Sequence, residues 1–291
     1  MTKWQHARAL LVLGLPLVGS HLAQFGVHVT DTVMLGWYGV NELASVVIGG
    51  NFWFIIFIVG SGFAAALPAI VASAMAKKDE VQVRRATRMA FWLSLIYATV
   101  MLPVFLFAEA ILLAAGQDAE VARLAGDYLI IAGWGVYPSL MIMVLKSYLS
   151  ALERTGVVLW VTVGAAVAHI FTNWVLIFGK LGFPEMGVQG AAVSTLMTET
   201  VACLILARYA VRNFPEHDLF ARFWRPDNQA MAQIFALGWP IGLTMLAEVG
   251  LFAAAALMMG SISPIALAAH GIALQLAAFA FLIHLGLSNA A

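Results

Sequence analysis

Long apolar runs recur along the chain, divided by short charged or Pro/Gly-rich breaks. A helix needs about 20 apolar residues to cross a 30 Å hydrocarbon core. On that measure the pattern predicts eight spans, at 8–36, 43–75, 89–113, 123–150, 157–179, 188–211, 230–259 and 265–291. Several are longer than the core requires, so they are expected to tilt, bend at an internal proline or project from the lipid. Pro16, Pro103, Pro138 and Pro240 lie inside such runs, and each removes a backbone hydrogen bond. Pro16 and Pro240 are the expected hinges. The first run is too long for a signal-peptide core and has no A-x-A site after it, so it reads as a retained span.

The basic residues test this count independently. Of 15 lysines and arginines, all but Arg123 and Lys180 fall at the N-terminus, in the even-numbered breaks or in the span ends that adjoin them. The positive-inside rule then places Met1 and the 77–88 loop in the cytoplasm and the 114–122 loop outside. A missed or invented span would scramble that alternation. Composition agrees, because 63% of the residues are hydrophobic and 10% charged, where a soluble domain carries about 25% charged. Zero net charge and the lack of a basic tail exclude nucleic acid as a partner. The single cysteine, Cys203, excludes an internal disulfide or a multi-cysteine metal site and reads as apolar filler.

The chain also repeats itself at an offset of 224 residues. Leu13-Gly-Leu-Pro16 falls on Leu237-Gly-Trp-Pro240, and Leu22-Ala23 on Leu246-Ala247. Gly26 falls on Gly250, Met34 on Met258, Gly36 on Gly260, Leu43-Ala44 on Leu267-Ala268 and Gly62 on Gly286. A repeat after six spans keeps its membrane orientation, which predicts two parallel halves about an axis along the membrane normal. The expected organisation is a six-helix lobe over 1–212, a cytoplasmic linker over 213–228 with Pro215 and Pro226, and the first two helices of a second lobe over 229–291. Four further helices are expected to complete that lobe.

Charged groups inside a membrane cost roughly 2.5–3.5 kcal/mol each on insertion scales, so each needs a reason. His21, Gln24, His28 and Asp31 share a narrow sector of the first span. The stripe reads either as a wall of an aqueous cavity or as interhelical hydrogen bonding. His169 and Asn173 sit one turn apart on the fifth span. Thr195, Thr198 and Glu199 occupy the sixth, and Glu248 stands halfway along the seventh at the repeat position of Gln24. Asp31, Asn173 and Thr195 together would make an oxygen-rich site for a hard cation or a proton. Phe52, Trp53, Phe54 and Phe57 are candidates for planar-drug contact, lipid facing or packing. Trp37, Tyr38, Trp134 and Tyr137 fit interfacial belts, and Lys146 is expected to snorkel to the cytoplasmic surface. No P-loop, HExxH or G-x-S-x-G motif is present, so nothing points to an enzyme.

Leu13-Gly-Leu-Pro16, Leu22-Ala-Gln24, Val29-Thr-Asp-Thr-Val-Met-Leu-Gly36 and Glu42-Leu-Ala44 resemble the first-span signature of the multidrug and toxic compound extrusion (MATE) family, especially its NorM-like bacterial branch. Gly187-Val-Gln-Gly-Ala-Ala-Val-Ser-Thr195, Gly238-Trp-Pro240 with Glu248, Leu267-Ala-Ala-His-Gly271 and Leu285-Gly-Leu-Ser288 resemble later parts of the same family. The resemblance implies an all-α fold of twelve helices in two lobes, monomeric, multi-pass, in the bacterial inner membrane. It implies export of cationic amphipathic drugs by alternating access in exchange for Na⁺ or H⁺, with no other cofactor. It assigns ion coupling to Asp31, Asn173, Thr195 and His169, with Asp31 and Asn173 as ligands if the ion is sodium. Substrate or proton coupling falls to Glu248, with Gln24, His28 and Glu199 as further candidates. His169 stands where the family pattern has asparagine, which counts against sodium. A flippase for lipid-linked saccharides and a non-transporting membrane subunit are the alternatives.

Overall fold

The structure, a computed structural model, describes residues 3–220, 223–262 and 264–288. These residues form α1 (Lys3–Tyr38), α2 (Val40–Ala65), α3 (Leu67–Ala76), α4 (Glu80–Leu106), α5 (Ala108–Ala114), α6 (Ala119–Ala151), α7 (Thr155–Ile177), α8 (Gly187–Asn213), a 3-10 turn (Pro215–His217), α9 (Asn228–Ile262) and α10 (Pro264–Ser288). There is no strand among the described residues. Seven stretches are long and apolar enough to cross a membrane, from Leu10–Tyr38 to Asn228–Phe252. The eighth expected span coincides with α10; its last three positions, 289–291, lie outside the described residues. The chain is an all-α, multi-pass membrane protein.

Two expected spans are each built from two helices. The run 43–75 turns at Ala66, between α2 and α3, because Pro68 occupies the first turn of α3 and has no N–H to continue the α2 ladder. The run 89–113 turns at Phe107, four residues after Pro103. Pro16, Pro138 and Pro240 lie inside uninterrupted helices. The charged breaks act as caps: Asp79 accepts from the Gln82 amide at 2.9 Å, and Asp118 from those of Glu120 at 2.9 Å and Val121 at 3.3 Å.

α6 is the axis of the bundle. Leu129, Val136, Leu140, Val144, Leu145, Tyr148 and Leu149 along it are fully buried, with α2, α4 and α8 around it and α1 paired with α7 at the edge. Trp134 and Tyr137 stack on each other halfway along α6, and Tyr137 bonds Thr99 at 3.1 Å. Trp134 is 50% exposed and Tyr137 half-buried, and both stand near the middle of α6 rather than at its ends, where an interfacial belt was expected. Trp53 donates to the Ala132 carbonyl at 2.9 Å, and Phe52 packs edge-on against Phe105.

The 224-residue repeat has a spatial counterpart. Where Gly62 on α2 meets α9, an added Cβ would stand 2.8 Å from the Gly242 Cα; where Gly286 on α10 meets α1, it would stand 2.7 Å from the Val18 Cα. Gly286 and Gly242 are the repeat mates of Gly62 and Val18, so the two contacts are one contact made twice. The prolines match as well. Ser20 donates to the Pro16 carbonyl at 2.9 Å, and its mate Thr244 donates to the Pro240 carbonyl at 2.9 Å. Back-bonding of this kind bends a helix slightly.

The segment 213–228, expected as a plain linker, is strapped to the ends of α4 and α6. His217 is buried, with Nδ1 2.5 Å from the Tyr148 hydroxyl and its ring stacked on Phe214. Arg88 donates to the carbonyls of Leu219 at 2.9 Å and Asp218 at 2.7 Å, and Trp92 to that of Phe223 at 2.8 Å. Asp227 pairs with Arg85 and caps α9 by accepting from the Ala230 amide at 3.0 Å. Burial pushes the His217 imidazole below its ordinary pKa. The hydrogen bond from Arg85 holds the Asp227 carboxyl below the usual carboxylate range. Ala221 and Arg222 lie outside the described residues.

Candidate ion-coupling site

Asp31 is set two turns inside the Tyr38 end of α1, on the side that packs against α7. Its Oδ1 lies 2.7 Å from His169 Nε2 and accepts from Asn173 Nδ2 at 2.5 Å. The one-turn spacing of His169 and Asn173 brings both to the same carboxylate, and their own nitrogens stand 3.1 Å apart. His169 is 2% exposed and Asn173 0%. A carboxylate buried in this way must be hydrogen-bonded or protonated to persist away from water.

A second layer of hydroxyls comes from the next turns of α7 and α8. His169 Nδ1 faces Ser194 Oγ at 3.4 Å and Thr198 Oγ1 at 3.5 Å, and Ser194 is 2.5 Å from Thr172 Oγ1. Both imidazole nitrogens therefore have partners, one a carboxylate and the other a hydroxyl pair. Asn173 Oδ1 is a buried acceptor without a hydrogen-bond partner. A hard cation is held by a set of oxygens. Here two of the groups turned toward Asp31 are nitrogens.

The other expected residues are placed differently. Thr195 is half-buried, and its hydroxyl donates back to the Ala191 carbonyl at 3.0 Å rather than to Asp31. Ser194, one residue earlier, and Thr198 are the α8 residues that reach His169. Sequence reasoning passed over Ser194, Thr172 and Ser139; the only available signal was the four-residue spacing of Ser194 and Thr198. Gln24 and His28 lie on the open side of α1, with His28 near enough to sense the charges of Asp31 and His169. Glu199 is bonded to Ser139 of α6, not to Asp31, although it too feels the charges of Asp31 and His169. Glu248 is exposed on α9, away from this cluster. Lys146 is half-buried on α6, within the fields of Glu199 and His21.

Comparison with known proteins places this geometry in a family. The family model described as MatE matches residues 16–175 and 240–291. A probable multidrug resistance protein NorM of Rhizobium meliloti (strain 1021) is 49% identical over 288 residues, which cover 98% of this chain and 62% of that protein. Its counterpart in Agrobacterium fabrum (strain C58) is 45% identical, over 99% of this chain and 62% of that one. The chain thus spans less than two thirds of the length of these relatives. Among solved structures, the eukaryotic MATE transporter AtDTX14 superposes with a TM-score of 0.84 over 99% of this chain and 64% of that one. An outward-facing multidrug resistance MATE family transporter of the MOP superfamily gives 0.81 over 97% and 62%. Both are 20% identical to this chain and speak for the fold alone.

Proposed function

Because this chain belongs to the MatE family, we propose that the protein carrying it is a secondary multidrug exporter, exchanging cationic amphipathic drugs for protons by alternating access. The observation that carries the reading is the buried Asp31 carboxylate bonded to His169 and Asn173. A carboxylate held among nitrogens changes its hydrogen bonding when it gains a proton, and α1 and α7 are joined through it. Protonation at Asp31 therefore biases the fit of α1 against α7. Glu248, Gln24 and His28, on the open faces of α9 and α1, supply carboxylate and polar contacts for the cationic drug. Pro16 and Pro240 are the points at which α1 and α9 bend between states. The basic loops face the cytoplasm of a bacterial plasma membrane, and the transporter works as a monomer.

The test is efflux of ethidium from vesicles containing the protein at its relatives' full length, with pH and Na⁺ gradients imposed separately. The pH gradient alone is expected to drive efflux. Asp31→Asn is expected to insert normally and lose about 100-fold or more in rate, the scale for removing a positioned acid–base group. Efflux driven only by sodium would move the coupling ion to Na⁺. Wild-type rates in Asp31→Asn would remove the site from the mechanism.

A further inference from the structure

Lys146 is an ammonium in the interior of a membrane bundle, and the proposed drug–ion exchange leaves it without a task. It stands on α6 two turns from Ser139, on the same face, and about 8 Å along the helix from its Ala151 end. No hydrogen bond or ion pair holds its ammonium among the described residues, yet it lies within the fields of Glu199 on α8 and His21 on α1. Glu199 is bonded to Ser139. It lies about 18 Å from the Gly187 end of α8, near mid-membrane. Asp31 lies about 10 Å from the Tyr38 end of α1. The Tyr38 and Gly187 ends touch, since a Cβ on Gly187 would meet the Tyr38 ring at 3.1 Å. Asp31, Glu199 and Lys146 therefore stand at successive depths, running toward the end of the bundle that carries Arg85, Arg88 and Arg154.

The hydrogen bonds at Ser139 add a second observation. Its hydroxyl lies within bonding distance of both the Gly135 carbonyl, at 2.6 Å, and the Glu199 carboxyl. A serine hydroxyl has one proton to donate. Both bonds are made in full when Ser139 donates to Gly135 and a protonated Glu199 donates to Ser139. With Glu199 ionised, Ser139 must divide its proton between two acceptors. Ser139 thus supplies a seat for Glu199 in either protonation state. The charged and titratable groups around Glu199 are Asp31 from α1, His169 from α7, Lys146 and Tyr128 from α6, and Cys203 on α8 itself. Those around Lys146 are Glu199 and His21.

We propose that Glu199 and Lys146 form a second proton station, which passes protons between the Asp31–His169–Asn173 cluster and the basic end of the bundle. A proton leaving Asp31 or His169 is taken by the Glu199 carboxylate, which becomes neutral. Lys146 then loses its counter-charge and releases one proton toward the basic end, with His21 as the neighbouring acceptor. The proton on Glu199 passes to the neutral Lys146 amine, which restores the carboxylate–ammonium pair. One proton enters, one leaves and no charge accumulates. The ladder rests on proton coupling at Asp31, but it assigns roles to residues which that coupling does not require.

The discriminating variant is Lys146→Arg. Arginine keeps the positive charge and the packing of a long stem, but its guanidinium does not give up a proton in a protein. The experiment measures pH-driven ethidium efflux by the full-length protein in vesicles, and ethidium binding in detergent. Lys146→Arg and Glu199→Gln are each expected to bind ethidium within twofold of wild type and to lose at least about tenfold in pH-driven efflux. A pair that is merely structural would be rescued by arginine. Wild-type efflux in Lys146→Arg, or in a normally inserted Glu199→Gln, overturns the proposal and leaves the Asp31 reading intact. If wild-type protein shows no pH-driven efflux, the Asp31 reading fails first. Should Lys146→Arg not insert, Glu199→Gln and Ser139→Ala decide, because Ser139→Ala removes the seat without touching a charge and is expected to slow efflux severalfold.

Discussion

α1 and α9 are the same helix written twice, and they differ in what they bury. Both carry an internal proline with a hydroxyl bonded back to its carbonyl, and both pack closely against a glycine from the second helix of the opposite copy. Their chemistry diverges. α1 buries Asp31 against His169 and Asn173; the repeat position on α9 is Ala255. α9 carries its carboxylate two turns earlier, at Glu248, which is exposed. The repeat thus preserves the features that let helices approach, while the buried carboxylate stands where a neighbouring helix supplies nitrogens and hydroxyls. What an acid in a membrane helix is bonded to is set by what stands across from it.

The shared packing is open to the hardest test. A Cβ at Gly62 would run into the backbone of Gly238 and Gly242, which cannot step aside without moving α9. At Gly286 the first atom met is Cγ2 of Val18, followed by Val18 backbone. Overpacking costs typically 1–3 kcal/mol. Gly62→Val is expected at or above the top of that range, about 3 kcal/mol, and Gly286→Val nearer about 2 kcal/mol. Melting in detergent, followed by size-exclusion or tryptophan fluorescence, would show the first variant losing more than the second. Equal, negligible losses would mean that the two contacts are not the close approaches described.

Much of this was legible in the sequence because the bilayer imposes one rule on every span. Runs of about 20 apolar residues located the helices, and the offset of 224 matched Gly62 with Gly286, whose two contacts only the structure shows. The bend at Phe107 follows Pro103, one of the prolines at which bending was expected, whereas the bend at Ala66 was not foreseen, because Pro68 was passed over inside an apolar run. At the site, Asp31, His169 and Asn173 were identified and the structure unites them. Thr195 was chosen over Ser194 because a one-residue shift on a helix turns a side chain by about 100°, and only the α7–α8 contact fixes that phase. Lys146 was read as a snorkelling residue; that it lies within the field of Glu199 on another helix comes from the tertiary arrangement.

The joint between the copies should respond to acid. His217 is held neutral by burial, so its folded pKa lies below its unfolded value of about 6.5. Its contribution is complete above that value and is lost as pH falls toward the folded one; each unit of separation is worth about 1.4 kcal/mol. Asp227 also has a lowered pKa, so the stability from its Arg85 pair is present above the ordinary carboxylate range and lost only in stronger acid. Between about pH 7 and pH 5.5 the loosening should therefore belong to His217, the group whose ordinary value lies in that interval. Limited proteolysis read by mass spectrometry should show cleavage within 213–228 rising over that interval in wild type. His217→Asn should cut similarly at both pH values. A linker equally resistant at both pH values in wild type would show that the buried imidazole is not what secures it.

The smallest effect makes the finest comparison. Gly26 on α1 and Gly250 on α9 are repeat mates, and a Cβ built on either meets nothing within 4 Å. Both lie inside regular helix. Replacing glycine by alanine in a helix interior, where the new methyl clashes with nothing, removes unfolded-state freedom and should stabilise by about 0.5–1 kcal/mol. Gly26→Ala and Gly250→Ala are expected to raise the melting temperature of this chain by similar small amounts, and to be additive because the helices do not meet there. If one variant stabilises and the other destabilises by more than about 1 kcal/mol, the open faces of α1 and α9 are not equivalent. The likeness of the two helices would then stop at their proline-and-glycine ends, rather than running on toward Asp31 and Glu248.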